Sequence, residues 1–132
     1  MFEIRRAKAS DVNAITLLVK RYAGQSKLLP RSSRDVKKYV STFFVAVENG
    51  KLIGCASLDI YSRKMAEIRS LAVDESETGK GIGAALVDAC LQKAKKRKVL
   101  EVMVVTSADS FFRKLGFDYT LPGERKALFF KP

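Results

Sequence analysis

The segment with the clearest chemical meaning is Thr78-Gly79-Lys80-Gly81-Ile82-Gly83-Ala84, which holds three glycines within five residues. Glycines allow successive backbone N–H groups to point into one concave nest that binds anions. A predicted helix follows at once, and a helix N-terminus adds unpaired N–H donors and a partial positive charge. Lys80 contributes a further positive charge. The segment therefore predicts a binding site for a phosphate or pyrophosphate group.

The loop has three other possible interpretations. A glycine-rich turn without any ligand is one of them. The spacing Gly79-x-Gly81-x-x-Ala84 also fits a dinucleotide-binding fingerprint, but the loop follows predicted antiparallel strands, and the next strand lacks an acidic residue at its C-terminal end. A P-loop is excluded, because no Gly-Lys-[Ser/Thr] sequence occurs.

The composition of the 132 residues removes several kinds of chemistry. There is no histidine, so Ser-His-Asp and Cys-His nucleophile systems and histidine-based metal sites are excluded, and we expect no metal. The two cysteines, Cys55 and Cys90, have apolar neighbours and are predicted to lie in the core. No apolar run approaches the roughly 18 residues of a membrane span, and the start does not read as a signal peptide. We expect no membrane partner and a cytoplasmic location.

The charge of the chain favours anionic partners. Lysine and arginine number 25 against 14 acidic residues, which gives a net charge of +11. Such a field attracts nucleic acid, acidic membranes or a phosphate-bearing small molecule, although a lysine-rich surface alone would also explain it. A basic nucleic-acid-binding module, gripping phosphates through the tract Lys93 to Lys98, stays open. Nucleic acid is the less favoured partner, because the aromatic residues cluster in core-like runs.

The elements that must position the loop follow from hydrophobic periodicity. Apolar residues recur at helical spacing after residue 11 and again after residue 81, whereas β-branched and aromatic runs flank an Asn49-Gly50 hairpin turn. Together they predict one α+β domain over residues 1–132, with a mixed sheet covered by helices on both faces. Strands are expected at 2–6, 43–47, 52–61, 66–73 and 99–105, the last one buried, with final strands between 117 and 130.

Two segments of the chain resemble the GNAT superfamily of N-acetyltransferases. Residues 66–74 and 78–83 resemble its acetyl-CoA signature, and Phe111-Phe112-Arg113-Lys114-Leu115-Gly116-Phe117 resembles a second hallmark. The resemblance implies a mostly antiparallel sheet that splays apart between strands 66–73 and 99–105, with acetyl-CoA as co-substrate. The residues that it implies for cofactor binding are Leu71, Ala72, Val73, Thr78, Gly79, Lys80, Gly81, Ile82, Gly83, Ala84 and Phe112.

A narrower resemblance concerns the acceptor of the acetyl group. Leu29-Pro30-Arg31-Ser32, Gly54-Cys55-Ala56 and residues 66–73 resemble the short, stand-alone N-acetylglutamate synthases of arginine biosynthesis. It implies transfer to the α-amine of L-glutamate, with Arg31 and Arg69 binding the carboxylates. For each arginine an ordinary surface position is the alternative. Other open acceptors are a protein N-terminus, a lysine or another small amine, and a homodimer is left open.

The catalytic base predicted from the sequence is Glu67, since no histidine is available and the matching position is acidic in many members of the superfamily. The alternative is a structural ion pair of Glu67 with a cation such as Arg69. Two positions depart from the superfamily pattern. Thr78 replaces the usual arginine or glutamine, and Phe112 stands where many members have a tyrosine thought to protonate the leaving thiolate.

Overall fold

The computed structural model describes residues 1–23, 31–119 and 128–132. Its described strands form one five-stranded sheet in the order β1-β2-β3-β4-β5. The first three strand pairs are antiparallel and β4 pairs with β5 in parallel, so the sheet is mixed and mostly antiparallel, as predicted. The strands are β1 (Glu3–Arg6), β2 (Phe43–Glu48), β3 (Lys51–Ile60), β4 (Met65–Val73) and β5 (Glu101–Val104).

Helices cover both faces of this sheet. They are α1 (Val12–Ala23), α2 (Ser33–Lys38), α3 (Ile82–Lys96) and α4 (Asp109–Lys114). One core joins the apolar side of α3 and Phe112 of α4 to residues such as Leu58 and Ile68, and it includes Cys90. The other joins α1 and α2 to the opposite face and includes Cys55. The α+β prediction and both cysteine predictions are confirmed, and the largely parallel sheet of the dinucleotide-binding alternative is ruled out.

Two strand predictions need correction or fall outside the described residues. The expected buried strand at 99–105 is shorter and only half-buried, with Leu100 74% and Val105 63% exposed. The reason is that β5 lies at the edge of the described sheet, where β4 covers one side of it. Of the final strands expected between 117 and 130, residues 117–119 and 128–130 form none. Residues 120–127, like residues 24–30, lie outside the described residues.

A β-bulge divides β4 into two halves. Cys55 pairs with Ala72 and Ser57 pairs with Arg69, so Ser70 and Leu71 together stand opposite the single residue Ala56. Ser70 has φ +55°, a left-handed conformation that is uncommon for a residue with a side chain. The extra residue reverses which face the following side chains occupy. Thus β4 packs against α3 before the bulge and presents Ser70 and Ala72 to the α1–α2 side after it.

The two halves of β4 also differ in their partners at the β5 edge. The first half pairs with β5 from Met65 opposite Glu101 to Ile68 opposite Val104. The second half, residues 69–73, continues to pair with β3 but has no partner strand on the β5 side within the described residues. This separation is the splay that the sequence predicted. It leaves an open strand edge that leads directly toward the glycine-rich loop.

Candidate active site

The open edge of β4 presents backbone groups that a ligand could use. The N–H of Asp74 donates to the carbonyl of Ile53 at 2.8 Å, so this peptide group faces β3. Because the N–H and C=O groups of successive residues point to opposite sides of a strand, those of Val73 face the open edge. The Val73 carbonyl accepts a hydrogen bond from the hydroxyl of Tyr22 on α1. The edge is therefore accessible to side chains from the α1 side of the sheet.

The glycine-rich loop has the backbone geometry of an anion nest. Gly79 and Gly81 have φ values of 82° and 80°, and a side chain at either would be strained by its backbone conformation. Gly81 is the N-cap of α3, and the first helical hydrogen bond runs from the N–H of Ala85 to the carbonyl of Gly81 at 3.1 Å. The N–H groups of Ile82, Gly83 and Ala84 precede that bond, so they are left as donors at the start of a 15-residue helix.

Gly83, the third glycine of the loop, is needed for close packing and not for a left-handed backbone conformation. A Cβ atom at Gly83 would lie 3.3 Å from the ring of Phe111 and 3.9 Å from Val73. Gly83 therefore allows α3, α4 and the open half of β4 to pack closely. Phe111, which sequence reasoning did not select, lies beside the splay. Its neighbour Phe112 is only 4% exposed and packs edge-to-face on Phe111 and Phe117, so a core role describes it better than a cofactor contact.

Charges around the loop are of both signs. Lys80 Nζ lies 2.5 Å from Glu77 Oε2, and this hydrogen bond raises the pKa of the lysine. An incoming anion would therefore compete with Glu77 for Lys80. Thr78 bonds back to the carbonyl of Glu75 through its hydroxyl at 3.1 Å, which shapes the entry to the nest. Hydrogen bonds from Ser76 lower the pKa of Asp74, which stays ionised and ion-pairs with Arg21 and Lys51.

A row of polar side chains crosses the other face of β3 and β4, beside the splay. Glu67 lies opposite Asp59 in the register and accepts a 2.5 Å hydrogen bond from Tyr61. Arg69 donates to Asp59 at 3.0 Å, and the hydrogen bond and charge of Asp59 raise the pKa of Arg69 against the effect of burial. The ion pair of Arg69 is therefore with Asp59 and not with Glu67. Glu67 is half-buried and is held by a neutral phenol.

Arg31 lies at the end of this row and is not a surface residue. It is only 8% exposed and its guanidinium stacks 5.1 Å from the ring of Phe43. Its Nε donates to Asp35 at 2.6 Å, and one terminal nitrogen reaches the hydroxyls of Ser70 at 3.2 Å and Ser57 at 3.5 Å. The bulge places Ser70 next to Arg31. A permanent cation is thus fixed within the sheet face that also carries Glu67.

Several of these residues were not found by sequence reasoning. Ser57 and Asp59 alternate along β3 and Tyr61 follows directly after it, which puts them on one face, but their roles depend on the strand opposite. Ser70 joins them only through the bulge, for which the sequence gives no signal. Tyr22 lies at helical spacing within the apolar residues of α1, so its sequence position alone predicts a core residue. The predicted residues Glu67, Arg69 and Arg31 do come together on one face, and Leu71 to Val73 form the open edge leading to the loop at 78–84.

Among the described residues there is no group of three or more acidic or cysteine side chains arranged to hold a metal ion. None of the helices in the described part of the chain is long and apolar enough to cross a membrane.

Comparison with known proteins decides the family. Residues 12–117 match the acetyltransferase (GNAT) family. The chain belongs to this family. An amino-acid acetyltransferase from Mycobacterium tuberculosis is 41% identical to this GNAT enzyme over 117 residues, which cover 86% of this chain and 67% of the relative. The enzyme class of acetyltransferase is thereby confirmed.

Solved GNAT structures share the fold closely. A Mycobacterium tuberculosis protein crystallised with CoA and a second ligand has a TM-score of 0.84 at 39% identity, covering 89% of this chain and 74% of that one. N-acetylglutamate synthase from Neisseria gonorrhoeae, crystallised with coenzyme A and N-acetyl-glutamate, has a TM-score of 0.86 at 26% identity. That match covers 95% of this chain and 30% of the gonococcal chain, so the likeness concerns one part of the longer enzyme.

Proposed function

We propose that this GNAT enzyme transfers an acetyl group from acetyl-CoA to the α-amine of L-glutamate. The cofactor assignment rests on one observation: the open strand edge and the glycine-rich loop adjoin each other. The unpaired edge of β4 at residues 69–73 leads into the nest formed by Gly79 and Gly81. An extended chain ending in a pyrophosphate fits both features at once, whereas a lone phosphate would use only the loop.

The described residues fit such a cofactor by their chemistry. Val73 offers an N–H donor on the open edge, and its carbonyl, which has two lone pairs, can accept a second hydrogen bond beside the one from Tyr22. The N–H groups of Ile82, Gly83 and Ala84 offer donors for pyrophosphate, with Lys80 as a nearby charge. When bound, acetyl-CoA supplies the acetyl group as a thioester. Relatives of this chain with the same fold were crystallised with CoA, which supports the assignment.

Glu67 is proposed as the base of the reaction. An amine attacks a thioester only in its neutral form, so the ammonium of the acceptor must first lose a proton. Oε1 of Glu67 accepts the hydrogen bond of Tyr61. The other carboxylate oxygen, Oε2, is proposed to take that proton, directly or through one water molecule. Because Arg69 is held by Asp59, no cation is directly paired with Glu67 among the described residues.

Arg31 is proposed to bind a carboxylate of the acceptor. A buried guanidinium held by Asp35, Ser57 and Ser70 has a fixed orientation, which favours a planar carboxylate over a flexible contact. An acceptor with its own cation, such as lysine or a polyamine, would be repelled by Arg31 and by the +11 charge of the chain. Arg69 is proposed as the second carboxylate ligand, and each arginine already has an acidic partner, Asp35 for Arg31 and Asp59 for Arg69.

A thermal-shift measurement followed by a turnover assay tests this function. Acetyl-CoA is expected to raise the melting temperature, and free thiol should then appear with L-glutamate in a panel of amino acids, polyamines and peptides. Thiol release with another amine but not with glutamate would remove the acceptor and keep the acetyltransferase. A salt-sensitive nucleic-acid gel shift without any stabilisation by acetyl-CoA would favour the basic binding module instead.

A further inference from the structure

The register of β3 and β4 places two carboxylates directly opposite each other. Asp59 and Glu67 are cross-strand partners, and like charges at such a position repel. The structure relieves this repulsion in two different ways. Asp59 is neutralised by the guanidinium of Arg69 at 3.0 Å, whereas Glu67 receives only the hydroxyl of Tyr61 at 2.5 Å. One acid of the pair has a cation and the other has a neutral donor.

We propose that Tyr61 is a positioning residue for Glu67, holding Oε1 so that Oε2 faces the amine of the acceptor. The proposal rests on the proposed function, in which Glu67 is the base. No hydrogen bond to Oε2 occurs within residues 1–23, 31–119 and 128–132, so the described contacts use one oxygen and leave the other. Tyr61 touches neither substrate in this proposal and acts only through Glu67.

The chemistry of the two donors explains why a phenol suits this place. A guanidinium paired with a carboxylate strongly favours its ionised form and makes it a poorer proton acceptor. A phenol fixes the orientation of the carboxylate through one hydrogen bond and adds no charge. Asp59 engages the guanidinium of Arg69 in an ion pair, which leaves the hydrogen bond of Glu67 to the phenol. Asp59, Arg69 and Tyr61 thus leave Glu67 oriented and without a directly paired cation.

Because Tyr61 is exposed, an experiment can distinguish a positioning role of its hydroxyl from a role in stabilising the fold. The side chain is 57% exposed and lies where β3 ends and the turn to β4 begins. Hydrogen bonds at such exposed positions contribute little to the stability of the fold. Removal of the hydroxyl should therefore leave the melting temperature unchanged, and any loss of turnover would come from the site.

The test is a double-mutant cycle of Tyr61→Phe and Glu67→Gln in the intact chain. We expect Tyr61→Phe to lower kcat about 10-fold, the size of one hydrogen bond to a charged group, with KM for the acceptor and for acetyl-CoA within about 2-fold. In the Glu67→Gln background the same change should have no further effect. Tyr39→Phe, at another exposed tyrosine on the α2 side, is the matched control and should leave kcat unchanged.

A second readout does not depend on turnover. Burial, followed by the hydrogen bond to Glu67, raises the pKa of Tyr61 to about 12. The absorbance difference between the parent chain and Tyr61→Phe should therefore show little phenolate near pH 11, about one unit above the ordinary tyrosine value. In the Glu67→Gln background the same difference should show more phenolate, because the negative partner is gone.

The outcomes separate this proposal from the proposed function. A slow Glu67→Gln variant with an unaffected Tyr61→Phe variant would overturn the role of Tyr61 and leave Glu67 as the base. Equal losses from Tyr61→Phe in both backgrounds would show that Tyr61 acts independently of Glu67, which also overturns it. A fully active Glu67→Gln variant would remove the base assignment and the positioning role together.

Discussion

The two halves of β4 make an instructive comparison. Residues 65–68 are paired on both sides, with β3 and with β5, and they carry Glu67. Residues 69–73 are paired with β3 alone in the described structure, and they carry the open edge. The bulge at Ser70 lies one residue into the open half, next to the point where pairing with β5 ends. The closed half can hold a side chain rigidly, whereas the open half can offer its backbone to a ligand.

This difference shows how one strand can support two tasks. A base needs a fixed position, and a strand paired on both sides provides one. A cofactor that adds to a sheet needs unsatisfied peptide groups, which only an unpaired edge provides. The bulge allows both within nine residues of β4 and also brings Ser70 toward Arg31. We therefore expect changes in the closed half to affect kcat and changes near the open half to affect binding.

Glu67→Gln, in the closed half, should give the largest effect. Without a base, kcat should fall about 10²–10⁴-fold, with acetyl-CoA affinity nearly unchanged. Steady-state kinetics and calorimetry measure the two quantities. Glu3→Gln, at an exposed acid on β1, is the control for a loss of one charge. Full turnover by the Glu67 variant would show that the closed half holds no catalytic base.

Arg31→Ala, beside the bulge, should mainly affect acceptor binding. Loss of a charged hydrogen bond costs about 1.5–3 kcal/mol, so KM for glutamate should rise about 10–100-fold. Asp35 should be solvated after the change, since its side chain is 40% exposed. Arg34→Ala, at an exposed position on α2, is the matched control. A glutamate KM equal to that of the parent, in a variant that melts normally, would confine Arg31 to a structural role.

Gly81→Val should weaken the nest at the end of the open half. The left-handed backbone at this position costs about 1–2 kcal/mol with a side chain present, and acetyl-CoA affinity should fall about 10-fold as the nest distorts. Gly116→Val is the matched control, because its φ is also positive, at 98°, and the space around it is equally open. Calorimetry that found the same affinity in both variants would argue against the nest. Gly83→Val is a poorer test, since it would press on Phe111.

Tyr22→Phe should have the smallest effect, mainly on stability and to a lesser degree on acetyl-CoA binding, because it frees the Val73 carbonyl on the open edge. It removes the hydrogen bond to the Val73 carbonyl, worth about 0.5–1.5 kcal/mol, and should lower the melting temperature by about 2–6 °C. The effect on kcat should stay within about 2-fold, because Tyr22 anchors the open half without touching Glu67. Scanning calorimetry measures the change in melting temperature. An unchanged melting temperature would mean that α1 does not hold this edge.

The sequence predicted what depends on local chemistry. Glycines at 79 and 81 are needed for positive φ, and Asn49-Gly50 forms the expected turn with φ values of 52° and 75°. The splay between β4 and β5 followed from the resemblance to the GNAT superfamily. The layers of helices on the sheet followed from hydrophobic periodicity. The bulge could not be predicted, because Ser70 adopts a left-handed conformation that its side chain does not demand. The roles of Tyr61 and Asp59 depend on cross-strand register, which a single sequence does not specify.

The bulge at Ser70 also determines which parts of the chain must evolve together. Ala66 and Ile68 belong to the core formed with α3, while Ala72, four residues after Ile68, belongs to the core formed with α1 and α2. Substitutions that enlarge position 66 or 68 should be compensated by smaller residues on α3. Those at position 72 should covary with α1 and α2. The strand thus links two otherwise separate sets of coevolving positions. An insertion or deletion at residue 70 would turn the side chains that follow it, such as Ala72, toward the opposite core.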